Sequence, residues 1–412
     1  MRYEVVGQGV RSWQRLGVVL WGGLVLLSVL PLATVVDARR RAVPQPEDAE
    51  ERVLSKKGAG AEKPAPYKAA ILMEAGTGKV LFEKDDHVPW PPASMVKMMT
   101  TLLVMERVRD GSLKLSDMVT ASRWAAEMGG SQIYLKEGET FTVEDLLKAV
   151  MIHSANDAAA ALAEHVAGST DAFVDLMNDK AAELGLKETH YYSVHGLPAG
   201  PGQKDDEMSA YDLAILGREL MKFPEVAKWA ATIQEPFRDG QFTLNNPNRL
   251  LRQFPGADGI KTGFHNKAGF CVTGSAKRGD LRLIVVVLGS TLKRDCFKSA
   301  AQLLNQGFAN YRMLVPVKQG GAVGRDAPVK SGVVERVPLV ATGDVRVLVK
   351  KGEEKKVQVE INVPDRVPAP VKAGQVVGEI VVKFDGAEVG KTSAAAAQDV
   401  AQASLWKRWW PF

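Results

Sequence analysis

Pro91-Pro92-Ala93-Ser94-Met95-Val96-Lys97-Met98-Met99-Thr100 sets a serine and a lysine three residues apart at the head of an apolar run. Residues three apart on a helix share a face, so the Lys97 amine reaches the Ser94 hydroxyl within one turn. Met95, Val96, Met98, Met99, Leu102, Leu103 and Met105 place apolar groups on nearly every side, which predicts a central buried helix rather than a surface one. Pro91 and Pro92 keep the preceding chain from being helical and leave Ser94 near the first turn, where backbone N–H groups lack helical partners. A serine becomes a useful nucleophile when a base takes its proton, and a lysine can be that base only if burial or nearby cations keep it neutral. Taken alone, the pair also fits a helix cap beside a lysine that extends its charge to water. The decision rests on partners elsewhere in the chain.

The 412 residues, 46% hydrophobic and 25% charged, suffice for two or three domains with a real core. A formal charge of +5 without a basic cluster interleaved with aromatics argues against a nucleic-acid partner and favours an anionic membrane surface. Six histidines without a His-Glu-x-x-His pair, and two cysteines without a Cys-x-x-Cys spacing, give no metal or cofactor signature. Cys271 and Cys296 read as buried free thiols, with a disulfide as the alternative in an oxidising compartment. Residues 1–38 read as an export segment: Arg2, Arg11 and Arg15 precede an uncharged run from Leu16 to Val36, and Val36-Asp37-Ala38 resembles a cleavage site. The run is also long enough for an uncleaved signal anchor.

Residues 39–66, rich in Pro, Glu, Lys, Arg, Ala and Gly, predict a flexible linker. From Tyr67, two apolar runs flank Gly76-Thr77-Gly78 as a strand pair that delivers the chain to Ser94. Helices follow with caps at Thr142, Ser169 and Ser209. Beyond Pro236 the pattern turns to strands, through Gln241–Leu244, Gly259–Gly263, Gly269–Thr273 and Leu281–Leu288, and then to a helix from about Lys293 to Asn310. Strands at both ends with helices between predict an α+β domain over 67–311, an antiparallel sheet sandwiched with a helical cluster. Short Val-rich runs over 312–392 predict a small all-β module. Residues 393–412 end on Leu405-Trp406-Lys407-Arg408-Trp409-Trp410-Pro411-Phe412, with three of the eight tryptophans beside two cations. This pattern predicts an amphipathic tail that rests on a membrane surface.

Two further stretches supply partners for Ser94 and Lys97. His153-Ser154-Ala155-Asn156-Asp157 falls between two helical segments, in a loop able to aim Ser154 and Asn156 into a cleft, and Asp258-Gly259-Ile260-Lys261-Thr262-Gly263 falls on a strand. Each alone is ordinary: the first also fits common helix caps, and the second also fits an exposed lysine on an edge strand. Ser-x-x-Lys, Ser-x-Asn and Lys-Thr-Gly in that order, each in a suitable element, form a set related to that of β-lactamases and penicillin-binding proteins. With Ser193-Val194-His195-Gly196-Leu197 and Ser209-Ala210-Tyr211-Asp212-Leu213-Ala214, the sequence resembles the serine D-alanyl-D-alanine carboxypeptidases of peptidase family S11, the low-molecular-mass penicillin-binding proteins, over most of Tyr67 to Gly390. The β module and amphipathic tail resemble that family's C-terminal domain and membrane anchor.

The resemblance implies that Ser94 attacks the carbonyl between two D-alanines of a peptidoglycan stem peptide while Lys97 accepts its proton, with Lys261 keeping Lys97 neutral by repulsion. It implies an oxyanion site from the backbone N–H groups of Ser94 and Phe264 and a close substrate approach at Gly263. Ser154 would protonate the leaving nitrogen, Asn156 would hold Lys97 or the substrate amide, and Lys261 and Thr262 would grip the terminal carboxylate. β-Lactams would acylate Ser94, and the protein would work outside the cytoplasm. His265, where relatives often have threonine, and the long segment Pro198–Asp206 depart from the pattern. Two rivals remain. A class A β-lactamase would show Ser-Asp-Asn and a Glu-x-x-Leu-Asn loop; a non-catalytic β-lactam sensor or wall-binding protein would be acylated without turnover.

Overall fold

The computed structural model describes residues 65–404. The export segment, nearly all of the linker and the tryptophan-rich end predicted above lie outside the described residues.

The chain enters through strand β1 (Ala69–Glu74) and strand β2 (Val80–Lys84), then makes a 3-10 turn over Ala93–Val96 that runs into helix α1 (Lys97–Asp110). Further helices follow, among them α2 (Asn156–Ala167), α3 (Thr170–Glu183) and α4 (Ala210–Leu220). Ser169 and Ser209 cap the last two, each accepting a backbone N–H from the first turn. Strands β3 (Ala257–His265), β4 (Gly269–Arg278) and β5 (Leu281–Ser290) and helix α5 (Lys293–Asn310) complete the domain.

The five strands form one antiparallel sheet in the order β2-β1-β5-β4-β3. Strand β5 reads Leu-Arg-Leu-Ile-Val-Val-Val-Leu because it is central and covered on both faces. Alternation sorts its side chains. Ile284, Val286 and Leu288 face the helical cluster with Ile71 and Met73, whereas Leu283, Val285 and Val287 face α5 with Ala70 and Leu72. Helix α1 is buried from Lys97 to Met105 in the helical cluster, with Leu103 half-covered, and Gly111 at φ 83° ends it in the left-handed conformation. The α+β expectation holds. Strand β3 is the sheet edge, and it lies against the 3-10 turn that carries Ser94.

Tyr311 opens the β module, one residue before the predicted boundary. Strands Tyr311–Val317 and Val345–Lys350 pair with each other, and a six-stranded sheet faces them across a core of Val337, Leu339, Val347, Ile380, Val382 and Ala394. Alternation along Val345–Lys350 turns Val347 and Val349 into that core and Leu348 toward α5. The predicted tail boundary at 393 is corrected. Strand Ala387–Ala396 runs past it with Ala394, Ala395 and Ala396 buried, Val371 bridges Val400 and Gly332 bridges Gln402. Small alanine side chains pack in this sheet rather than forming a free amphipathic segment. No helix among the described residues is long and apolar enough to cross a membrane.

Candidate active site

Ser94 lies in the 3-10 turn and Lys97 is the first residue of α1, so the tighter turn, not the α-helix proper, brings them together. Ala93, at φ 50°, holds an uncommon left-handed backbone just before the serine. The Lys97 Nζ donates to Ser94 Oγ at 3.0 Å and to the His195 carbonyl at 2.7 Å. Lys97 is fully buried. Burial first, and repulsion from Lys261 second, hold its amine well below the usual lysine range, against opposing pulls from Asp206 and Asp157.

The His195 carbonyl is aimed by its own segment. Asp206 accepts the N–H groups of Tyr192 and Ser193 and the Ser193 hydroxyl, at 2.6, 2.8 and 2.7 Å. Ser193 Oγ accepts Gly196 N–H at 2.8 Å, and Thr100 Oγ1 of α1 donates to the Val194 carbonyl at 2.9 Å. Gly196, at φ 77°, presses so closely on the serine turn that a Cβ would stand 2.0 Å from the Ala93 carbonyl oxygen. The His195 imidazole, pushed down to about 4 by burial and then by Lys97, is neutral near neutral pH.

Ser154 follows a π-helical turn over Ala149–His153 and itself adopts φ 67°. Asn156 lies not in a loop but at the start of α2. Both residues follow this wide turn between the helices. Asn156 Nδ2 donates to the Gly129 carbonyl at 2.6 Å, whereas its Oδ1 is buried with no hydrogen-bond partner among the described residues. Such an orphan acceptor costs about 1–3 kcal/mol. Of the two roles expected for Asn156, contact with Lys97 is not made; the free oxygen suits a donor brought by a ligand. Asp157, also buried, accepts the N–H groups of Ile133 and Leu135 at 3.0 and 3.1 Å and so fixes the loop before it.

From the sheet edge, Lys261 Nζ donates to Ser154 Oγ at 2.7 Å and, more weakly, to the Thr262 carbonyl at 3.4 Å. Burial lowers this amine to about 7. Thr262 is half-buried beside it. At Gly263 a Cβ would meet the Pro92 carbonyl at 2.4 Å and the Ser94 nitrogen at 3.2 Å, so only glycine lets edge strand and serine turn approach this closely. Phe264, 38% exposed, stacks on Phe270 at 4.2 Å between ring centroids. Of the eight residues singled out from the sequence, Ser94, Lys97 and Gly263 meet at the serine turn, and Ser154 and Lys261 are hydrogen-bonded to each other, with the Lys261 charge felt at Lys97. Thr262 and Phe264 adjoin Lys261 and Gly263 along the strand, the Phe264 ring turned to Phe270, and Asn156, two residues after Ser154, lies against Gly129 and Gly130. Chemically the cleft offers a hydroxyl beside a proton-poor amine, a second hydroxyl beside a second amine, and an open strand edge.

The family model for D-alanyl-D-alanine carboxypeptidases, peptidase S11, matches residues 59–291. The chain belongs to this family. A second model, the C-terminal domain of penicillin-binding protein 5, matches residues 311–402. Among relatives of this S11 peptidase, D-alanyl-D-alanine carboxypeptidase DacF of Bacillus subtilis is 40% identical over 82% of this chain and 87% of its own. DacC of Escherichia coli, another D-alanyl-D-alanine carboxypeptidase, is 36% identical over 84% and 87%. Among solved structures, the chain is similar to a peptidoglycan synthesis regulatory factor (PBP3) from Streptococcus pneumoniae, with TM-score 0.69, 31% identity and coverage of 82% of this chain and 100% of that one. Penicillin binding protein 5 from Haemophilus influenzae gives TM-score 0.64 and 29% identity over 84% and 100%.

The S11 architecture also contains supports that motif reading passed over. The His195 carbonyl, Gly196 and Asp206 belong to Ser193–Leu197 and its anchor, a stretch noted in the sequence but given no role. Asp157 reads as a helix cap from sequence and acts instead on a distant loop. The His265 Nδ1 accepts Ala268 N–H at 3.2 Å in the β3–β4 turn. The long segment after Leu197 closes on itself through Asp205, which accepts Ala199 N–H at 2.8 Å and pairs with Lys267 at 2.9 Å, forming a cleft wall.

Proposed function

We propose that this S11 enzyme removes the terminal D-alanine from peptidoglycan stem pentapeptides through an acyl-enzyme on Ser94, and that β-lactams acylate the same serine. One observation carries the assignment of roles: a fully buried lysine, depressed in basicity, bridges the Ser94 hydroxyl and a carbonyl that fixes its orientation.

In this reading Lys97 takes the Ser94 proton as Oγ attacks the carbonyl carbon of the penultimate D-alanine. The negative charge that develops on the carbonyl oxygen is met by the backbone N–H groups of Ser94 and Phe264. Ser154 hands its proton to the departing amine nitrogen and is replenished along its hydrogen bond with Lys261. Lys261 and Thr262 hold the substrate's carboxylate, which confines cleavage to chain ends, and Asn156 Oδ1 accepts the substrate amide N–H. Water then attacks the acyl carbon and gives its proton to Lys261 by way of Ser154, while the Ser94 oxygen leaves with the proton held on Lys97, so that both lysines return to their starting state.

The names of the relatives support the substrate class, since DacF and DacC are both D-alanyl-D-alanine carboxypeptidases. The basic, apolar N-terminal run and the Trp-Lys-Arg-Trp-Trp ending support export and attachment to the outer face of the cytoplasmic membrane. Incubation with a stem pentapeptide is expected to release D-alanine, and Ser94→Ala to abolish release; mass spectrometry of the penicillin adduct is expected to find the modification on Ser94. Labelling without any release from the wild type would instead make the protein a β-lactam sensor.

A further inference from the structure

The segment Pro198–Asp206 bounds a cavity of about 310 Å³ whose other walls include Tyr192, His195 and Leu197. Two of those walls are shared with the catalytic cleft. The His195 carbonyl receives Lys97, and the Leu197 side chain lies 3.0 Å from where a Cβ on Gly130 would stand, in the same corner as Asn156.

The direction of a bound peptide follows from strand β3. If its carboxylate sits at Lys261 and Thr262 and its scissile carbonyl at Ser94, which abuts Gly263, the peptide runs antiparallel to β3. Its N-terminal side then passes Phe264 and His265 toward Lys267. At about 3.3 Å per residue, the residue preceding D-Ala-D-Ala arrives beside His265. There the ion pair between Lys267 and Asp205 ties the turn to the segment that bounds the cavity.

The charges in this wall are unequally committed. Asp205 is taken by Lys267 and Ala199 N–H, and Asp206 by Tyr192 and Ser193. Lys204 is exposed, stands 5.8 Å from the centre of the Tyr192 ring and, among the described residues, pairs with no carboxylate. Cavity, peptide direction and free ammonium coincide at one place.

We propose that this cavity is the subsite for the residue preceding D-Ala-D-Ala, and that Lys204 selects peptides whose side chain there ends in a carboxylate. The inference rests on the carboxypeptidase reading for the orientation of the substrate. Tyr192 supplies an apolar face for the methylene stem, and Lys204 meets the anionic end.

The test compares N-acetyl-X-D-Ala-D-Ala in which X is 2-aminoadipate or its side-chain amide, an isosteric pair that differs in charge. The wild type is expected to favour the acid about fivefold in kcat/KM, mostly through KM, and less so at high salt because the site is exposed. Lys204→Gln is expected to bring the acid-to-amide ratio to about one and Lys204→Glu to invert it. Equal rates for the pair in the wild type, or a preference that survives Lys204→Glu, would overturn the proposal. Acylation of Ser94 by penicillins with an acidic or a neutral side chain reads the same subsite without requiring turnover. If neither peptide releases D-alanine, the carboxypeptidase reading fails, and the subsite stands or falls on whether the acidic penicillin acylates faster in the wild type and loses that advantage in Lys204→Glu.

Discussion

Lys97 can take a proton only while neutral, and its surroundings set when that holds. Its pKa is depressed, so the amine is protonated and idle at low pH and becomes a base as pH rises through its pKa. Because the Lys261 charge contributes to that depression, Lys261→Gln is expected to raise the Lys97 pKa. The acid limb of Ser94 acylation by a β-lactam should then move to higher pH, read from the pH profile of acylation rate. An unmoved limb would show that burial alone neutralises Lys97. The cysteines give a second test at this scale. Cys271 and Cys296 are free and buried, in cores on opposite faces of the sheet, and burial pushes Cys271 up to about 12. Neither is expected to react with a thiol reagent in the native protein, and both are expected to react in denaturant. The Ser94–Lys97 pair is legible from spacing because it depends on one local turn. The carbonyl that orients Lys97 is not, because every residue has one and only folding aims that of His195.

At the scale of elements, two glycines let separate segments close on the serine turn. Gly196→Ala would force a Cβ into the Ala93 carbonyl at a left-handed backbone position, and about 2–4 kcal/mol of stability is expected to be lost, seen as a lower Tm. Gly263→Ala would push edge strand β3 away from Ser94; penicillin labelling is expected to slow about 100-fold or more, with a smaller fall in Tm, since the strand can shift outward. Asp157→Ala would strip two backbone donors of a buried acceptor and cost about 2 kcal/mol, checked by denaturant unfolding. Helix and strand types along the chain are legible because caps and apolar periodicity are local signals, as at Ser169, Ser209 and β5. The short turns that carry Ser94 and Ser154 are less so: both use positive φ at or beside a non-glycine residue, Ala93 and Ser154, which no propensity favours and tertiary packing must hold.

For the whole molecule, the β module does more than follow the catalytic domain. Leu348 leaves the module's own core and enters that of α5, so Leu348→Ala is expected to cost about 2–3 kcal/mol although no site residue is touched, measurable as a shift in thermal unfolding. The end of the chain needs a more careful cut than its composition suggests. Removing residues from 393 onward would tear out a buried strand, whereas deleting 405–412 leaves the described module intact. That shorter deletion is expected to move the protein from membrane to soluble fractions; unchanged fractionation would assign anchoring to the N-terminal apolar run instead. The sequence by itself determined the element types, the α+β class and the three short motifs, because each is written in neighbours a few residues apart. Only the tertiary structure decided that strand β3 is an edge, that two glycines let it and the His195 segment close on Ser94, and that Asn156 keeps an unpaired oxygen. These depend on contacts across up to about 170 residues of chain, whose geometry no local pattern encodes.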